Sequence, residues 1–159
     1  MEYLENLNEQ EIDQLTDAVS YVTILIAGAD GNIDSEETAW ANKLTKIRGY
    51  ASADALQGFY DKVGTNFSER LTYLIGALPD ETNARTAAIS TEMEKLNPIL
   101  AKLDQRMGHA LYASFTSFAK HVAESSGGFF RFGTISKEEA ALIDLPMLTP
   151  IEEPIEPEQ

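Results

Sequence analysis

An acidic turn, Ala29-Asp30-Gly31-Asn32-Ile33-Asp34-Ser35-Glu36-Glu37, separates an apolar segment from an amphipathic one. Carboxylates, a turn glycine and a predicted helix start come together only at this corner of the chain. Two interpretations fit such a corner. It simply joins two helices, or it also binds a divalent cation through its carboxylates.

Apolar residues recur at helical spacing on both sides of this turn. Before it, they predict a helix from about Glu9 to Ala27, and its apolar face steps by four, three and four: Leu15, Val19, Val22 and Ile26. After it, a second helix is predicted from about Asp34 to Gly49, with an apolar stripe of Trp40, Leu44 and Ile47.

The rest of the chain has the same helical periodicity. Ser52 is a predicted N-cap for a third helix that stops at Gly64, and Pro79 ends a fourth. One long apolar stripe then runs from Ile89 to Val122 and ends at Ser125-Ser126-Gly127-Gly128. Because Pro98 lies inside that stripe, we expect a break there, with Pro98 in the first turn of a new helix. No alternating pattern suited to a sheet is left over, so the sequence predicts an all-α, single-domain bundle of about six to eight helices.

The composition separates a helical domain from an acidic tail. With 159 residues, 43% of them apolar, the chain can bury one core, which we assign to residues 1 to 145. Residues 146 to 159 interleave four prolines with four glutamates. Such a segment buries too little apolar surface to offset its ordering entropy, so it is predicted to be a disordered or extended tail.

The charge balance limits the kinds of partner that the protein can bind. A formal charge of −14, from 26 acidic and 12 basic residues, opposes binding to nucleic acid and to anionic lipid. The start of the chain has no signal-peptide pattern, and its longest apolar run is too short to span a bilayer. We therefore expect a cytoplasmic protein that does not insert into membranes and that contacts another protein.

The metal interpretation of the corner rests on a partial loop pattern. Residues 30 to 34 followed by Glu37 match the second half of an EF-hand loop. Ile26 and Gly28 occupy the earlier ligand positions, so a full EF-hand is excluded. In the helix-turn interpretation, Gly31 is a left-handed residue, Asp34 is an N-cap and Glu37 is its capping-box partner.

Residues 22 to 47 resemble the TerB-like domain of tellurite-resistance and related stress proteins. The resemblance is carried by the apolar helix, the Ala-Asp-Gly turn, Ile33 and the Glu36-Glu37 pair. It implies an all-helical double bundle with an internal pseudo-repeat, and a divalent metal site at the corner. By this resemblance Asp30, Asp34 and Glu37 are the metal ligands and Glu36 is an outer contributor. Oxygen ligands of this kind favour calcium or magnesium.

A second corner of the same type is expected near the C-terminus. Residues 133 to 139 resemble residues 31 to 37, with Ser136 as N-cap and Glu139 as its capping-box partner. Phe132 stands where Asp30 stands in the first corner, and Ser136 replaces Asp34. This corner therefore lacks two of the carboxylates.

Motifs that would indicate an enzyme are missing. The sequence has no zinc-protease helix, phosphate loop, nucleophile elbow, dinucleotide glycine pattern or Glu-x-x-His pair. His109 and His121 are twelve residues apart, which places them on different faces of one helix and excludes a joint site. Each is expected at a surface or helix flank.

Three functions remain open. The first is a non-enzymatic domain that binds calcium or magnesium at the corner and acts in stress-related protein assemblies. The second is a metal-independent protein–protein interaction scaffold that uses the acidic tail or an aromatic cluster consisting of Phe129, Phe130 and Phe132. More often, an aromatic cluster of this kind packs a connector onto the core. The third is a hydrolase that holds a catalytic metal with the same carboxylates.

Overall fold

The computed structural model describes residues 4–33, 35–51, 54–125 and 137–155. Within these ranges there is no strand, and the chain forms eight helices: α1 (Glu9–Ala27), α2 (Ser35–Ala51), α3 (Asp54–Thr65), α4 (Phe67–Ala77), α5 (Thr82–Glu94), α6 (Leu96–Ala101), α7 (Gln105–Ser125) and the single turn α8 (Lys137–Ala140). The predicted all-α bundle of six to eight helices is confirmed over the described ranges.

Helix α1 lies at the centre of the bundle and packs against α2, α3, α4, α5, α6 and α7. Every residue from 22 to 27 is buried, which explains why this segment is apolar on several faces. A capping box begins the helix: Asn8 Oδ1 accepts a hydrogen bond from Glu11 N at 2.8 Å, and Glu11 Oε1 accepts one from Asn8 N at 3.1 Å. The predicted limits of this helix are confirmed.

The long apolar stripe divides around Pro98 as predicted. Pro98 lies in the first turn of α6, where its missing N–H breaks no helical hydrogen bond. The stripe stays directed at the core across α5, α6 and α7, and all its members are buried: Ile89, Met93, Leu96, Leu100, Leu103, Met107, Leu111, Phe115, Phe118 and Val122.

Helix α2 is longer than the sequence predicts. It continues through Gly49 to Ala51 instead of ending at that glycine. A glycine inside a helix costs about 1 kcal/mol relative to alanine, and the packing of α2 along α3 outweighs that cost. The predicted N-caps Asp34, Ser52 and Ser136 and the predicted stop at Gly127-Gly128 lie outside the described residues.

The C-terminal segment packs on the bundle as far as the structure describes it. Residues 145–155 lie across α6 and the start of α7 without forming a helix or strand, and residues 156–159 lie outside the described ranges, so a disordered tail stays a prediction there. The physical reason is that apolar residues stand among the prolines: Leu148 is only 3% exposed, and Met147 and Ile151 pack against the core. Among the described helices, none is both long and apolar enough to cross a bilayer.

Candidate functional site

The corner at residues 29 to 37 is a sharp helix–helix turn. Gly31 has a φ of 102°, and its N–H donates to Gly28 O at 3.0 Å. The side chain of Asp30 accepts a hydrogen bond from Asn32 N at 3.1 Å, which closes the turn locally. The prediction that Gly31 is the left-handed residue is confirmed.

A buried arginine from α5 supports this turn. Arg85 is 6% exposed, and it donates from Nη2 to Gly28 O at 3.0 Å and from Nη1 to Asp80 O at 3.1 Å. A methyl group on Gly28 would lie 2.7 Å from Arg85 Nη2, so a larger residue at this position would displace the guanidinium from its place at the turn. The sequence analysis missed the contact, since nothing in the local pattern of α5 pairs Arg85 with a residue 57 positions earlier.

The predicted metal ligands differ in their exposure to solvent. Asp30 and Glu36 are exposed, whereas Glu37, in the first turn of α2, is only 3% exposed. Asp34 lies outside the described residues. In the part of the chain that the structure describes, no three Asp, Glu or His side chains are placed to share a metal ion. The calcium or magnesium site therefore stays a prediction, and it depends on Asp34.

The second predicted corner shares one feature with the first. Glu139, in the first turn of α8, is 3% exposed, as is Glu37 in α2. Both helices thus bury a glutamate at the equivalent position. Residues 133 to 136, which complete this corner, and the aromatic cluster at Phe129, Phe130 and Phe132 lie outside the described ranges.

An open apolar groove lies between α2 and the C-terminal end of α7. We call it the α2–α7 groove, and its volume is about 600 Å³. Four large apolar side chains are exposed in the described part of the chain, and two of them, Trp40 at 37% and Ile47 at 47%, line this groove. The described residues that line it are Glu36, Trp40, Leu44, Ile47, His121, Glu124 and Ser125.

Arg48 fixes the helices beneath the groove. Its Nη1 donates to Tyr60 OH at 3.2 Å and to Ser114 O at 3.0 Å, and its Nη2 donates to Ser117 Oγ at 3.1 Å. The guanidinium also lies over the rings of Tyr60 and Phe118, 5.2 Å from each centroid. One side chain of α2 therefore ties together α3 and α7.

Tyr60 is the buried centre of that network. Its hydroxyl hydrogen-bonds Ser114 Oγ as well as Arg48, and its ring packs edge-on against Phe59. Complete burial raises the pKa of the Tyr60 hydroxyl, although the neighbouring Arg48 charge and the hydrogen bonds act in the opposite direction. The groove therefore lies over hydrogen-bonded side chains that join α2, α3 and α7.

The two histidines occupy separate flanks of α7, as predicted. His121 Nδ1 lies 3.2 Å from Arg48 Nη2 at the edge of the groove. His109 Nδ1 donates to Ile151 O at 2.7 Å on the other end of the helix. Neither arrangement is that of a catalytic pair.

The sequence analysis found the apolar stripe of α2 but not the groove. Trp40, Leu44 and Ile47 share a face, as predicted, yet only Leu44 is buried. Helical spacing identifies a stripe but does not tell whether another element covers it. A tryptophan flanked by Glu36 and Lys43 is the signal that could have suggested a partly exposed stripe.

Comparisons with known proteins give no relative for this chain. No protein-family model, curated protein or solved structure matches it. Membership of the TerB-like family therefore stays a prediction from the residues quoted above.

Proposed function

We propose that this chain is a non-enzymatic protein-binding module whose α2–α7 groove receives an amphipathic helix of another protein. The exposure of Trp40 and Ile47 inside one concave surface carries the proposal. Aromatic side chains in clefts dominate the binding energy of many interfaces, and a groove between two helices suits a third helix. This is the scaffold function predicted above, with the contact surface on α2 and α7 instead of the acidic tail or the aromatic cluster.

The charges around the groove select the partner. Glu36 and Glu124 line the groove together with its apolar residues, and the whole chain carries a charge of −14. A helix with an apolar stripe bordered by lysines or arginines complements this surface, because opposite charges speed association and disfavour acidic competitors. An anionic membrane has the wrong charge for this groove.

The single tryptophan makes the proposal directly testable. Trp40 is the only tryptophan of the chain, so its fluorescence reports on the groove alone. The probe is a tryptophan-free helical peptide of about 18 leucine and lysine residues, long enough for about five turns. We expect a saturable blue shift with this peptide and none with a peptide in which glutamate replaces lysine.

A pair of variants locates the binding. Ile47→Asp should weaken the leucine–lysine peptide at least tenfold, which corresponds to about 1.4 kcal/mol. Tyr73→Asp is the matched control. Like Ile47, Tyr73 is a large apolar side chain exposed on a helix, but it lies on α4, away from the groove. Equal affinity of both variants and the wild type would refute the groove as the binding surface.

Divalent-cation binding at the corner is a second candidate, in which the chain acts in stress-related assemblies as the TerB-like resemblance implies. A buried carboxylate, that of Glu37, close after a left-handed turn at Gly31 supports it. Calorimetric titration with calcium and magnesium tests it. One-site binding that is lost in Asp30→Ala and Glu37→Gln is the expected result, and a folded wild type that binds neither ion would exclude it.

A further inference from the structure

The two histidines of the chain use their Nδ1 atoms in opposite ways. His109 Nδ1 lies 2.7 Å from Ile151 O, and a carbonyl oxygen only accepts, so this nitrogen carries a proton whether the ring is neutral or charged. His121 Nδ1 lies 3.2 Å from Arg48 Nη2, and a guanidinium only donates. His121 Nδ1 therefore accepts, which requires a neutral imidazole.

Protonation of His121 would break its contact with Arg48. A charged imidazole donates from both nitrogens, so two donors and two positive charges would face each other. Arg48 is held in place by hydrogen bonds to Tyr60, Ser114 and Ser117, whereas His121 is exposed. The imidazole ring, and not the guanidinium, is therefore the group that turns away.

The described titratable and charged groups around His121 come from three helices: Glu36 and Arg48 of α2, Tyr60 of α3, and Lys120 and Glu124 of α7. Glu124 lies three residues after His121, so the two side chains are neighbours on one face of α7. Glu36 lines the same groove, so a charged His121 is attracted towards these carboxylates. The pKa of Tyr60 is raised above its ordinary value of 10.0, so Tyr60 keeps its proton when His121 titrates.

One proton on His121 changes the charge that the groove presents. With a neutral imidazole, Glu36 and Glu124 give the described lining a charge of −2, and one added proton makes it −1. The new positive charge also lies where a lysine of the partner helix would approach these carboxylates. Histidine side chains ordinarily change charge between about pH 5 and pH 8, above the range in which exposed carboxylates do so.

We propose that His121 is a pH-dependent switch of the α2–α7 groove. The neutral ring bonds Arg48 and permits a basic helix to bind, and the protonated ring turns towards Glu36 and Glu124 and weakens that binding. This inference rests on the function proposed for the groove and adds its regulation. A basic partner is thus held near neutral pH and released on acidification.

Anisotropy of a dye-labelled leucine–lysine peptide measures this switch without relying on how Trp40 itself responds to pH. We expect the full-length chain to bind the peptide at least about threefold more weakly at about pH 5.5 than at about pH 7.5. His121→Gln should bind equally at both pH values, because its uncharged amide oxygen accepts from Arg48 in either case. His121→Lys should bind weakly at both. His109→Gln is the matched control and should keep the pH dependence of the wild type.

A second measurement needs no peptide. The nuclear magnetic resonance signal of Arg48 Nε–H should shift between the two pH values in the wild type and in His109→Gln, and it should stay in place in His121→Gln. Equal pH dependence of the wild type and His121→Gln, in the anisotropy or in the Arg48 signal, would overturn the switch but not the groove as a binding surface. Absence of peptide binding at both pH values would overturn the proposed groove function together with its regulation.

Discussion

The two ends of α7 both carry apolar surface, but the residues that the structure describes cover only one of them. At the N-terminal end, the C-terminal segment lies over Gly108 and is held by Gln105 and His109. At the C-terminal end, the surface shared with α2 is open, and Trp40 and Ile47 remain exposed. Among the described residues, the same helix therefore presents one covered surface and one surface that no other helix covers.

The polar residues around each surface explain the difference. The covered end offers amide and imidazole groups, which bond main-chain atoms of Met147, Thr149 and Ile151 in the C-terminal segment. The open end offers Glu36 and Glu124, which repel the acidic C-terminal region of this chain and attract a basic partner. The two ends of α7 therefore differ in the polar side chains that border their apolar surface.

The largest effect is expected where the open end is supported. Arg48→Met should lower the free energy of unfolding by about 3 kcal/mol, because it removes charge-assisted hydrogen bonds to α3 and α7. Urea denaturation measures the change. The neighbouring Lys46 is exposed, and Lys46→Met should change the stability by less than about 0.5 kcal/mol. Similar losses in both variants would contradict the role given to Arg48.

A smaller loss is expected at the covered end. Leu148→Ala should cost about 2 kcal/mol, since it leaves a cavity under the C-terminal segment. Ile155→Ala, in the same segment but 96% exposed, should be neutral in the same denaturation experiment. If Leu148→Ala were also neutral, the segment would not be packed as described.

Alkaline pH should weaken the base of the open groove. The pKa of Tyr60 is raised in the folded protein above its ordinary value of 10.0, so the unfolded chain loses this proton first. The contribution of Tyr60 is therefore complete below pH 10.0 and decreases above it, by at most about 1.4 kcal/mol per pH unit. Tyr60→Phe should show a shallower alkaline decline in stability; an identical decline would contradict the assignment.

The main-chain clamp at the covered end should contribute less. Asn97→Ala removes hydrogen bonds to Met147 and Thr149 and should cost about 1 kcal/mol. Hydrogen exchange should accelerate at the amide of Thr149 and stay unchanged at the central helix α1. Uniform acceleration across the chain would indicate a global effect instead of a local release of the segment.

The smallest effect on stability is expected inside the open groove. Ile47→Ala should change the free energy of unfolding by less than about 0.5 kcal/mol, because Ile47 is 47% exposed. The same variant should weaken the leucine–lysine peptide, as measured by Trp40 fluorescence. A large loss of stability would mean that Ile47 belongs to the core.

Local patterns predicted the helices well. The limits of α1 and the break at Pro98 follow from apolar spacing and from proline stereochemistry, which act within a few residues. The packing of the C-terminal segment could not be predicted, because it depends on Asn97 and His109, which lie more than 40 positions away in the chain. A composition rich in proline and glutamate carries no information about such distant partners.

The candidate site was only partly predictable, for a related reason. The sequence identified the stripe of Trp40, Leu44 and Ile47 and the left-handed Gly31. It could not show that Arg48 joins α2 to α7 while Trp40 and Ile47 stay exposed. Packing between distant helices determines which apolar stripe becomes core and which becomes a binding surface.

The central claim is that the open end of α7 is a binding surface for a basic amphipathic helix. Nuclear magnetic resonance titration of the full-length chain with the leucine–lysine peptide tests it most directly, because each amide reports its own surroundings. The account predicts saturable shifts at residues 36 to 47 and 121 to 125, with residues 97 to 109 unchanged. Saturating peptide that leaves the groove amides unchanged, or that shifts only those of residues 97 to 109, would contradict it.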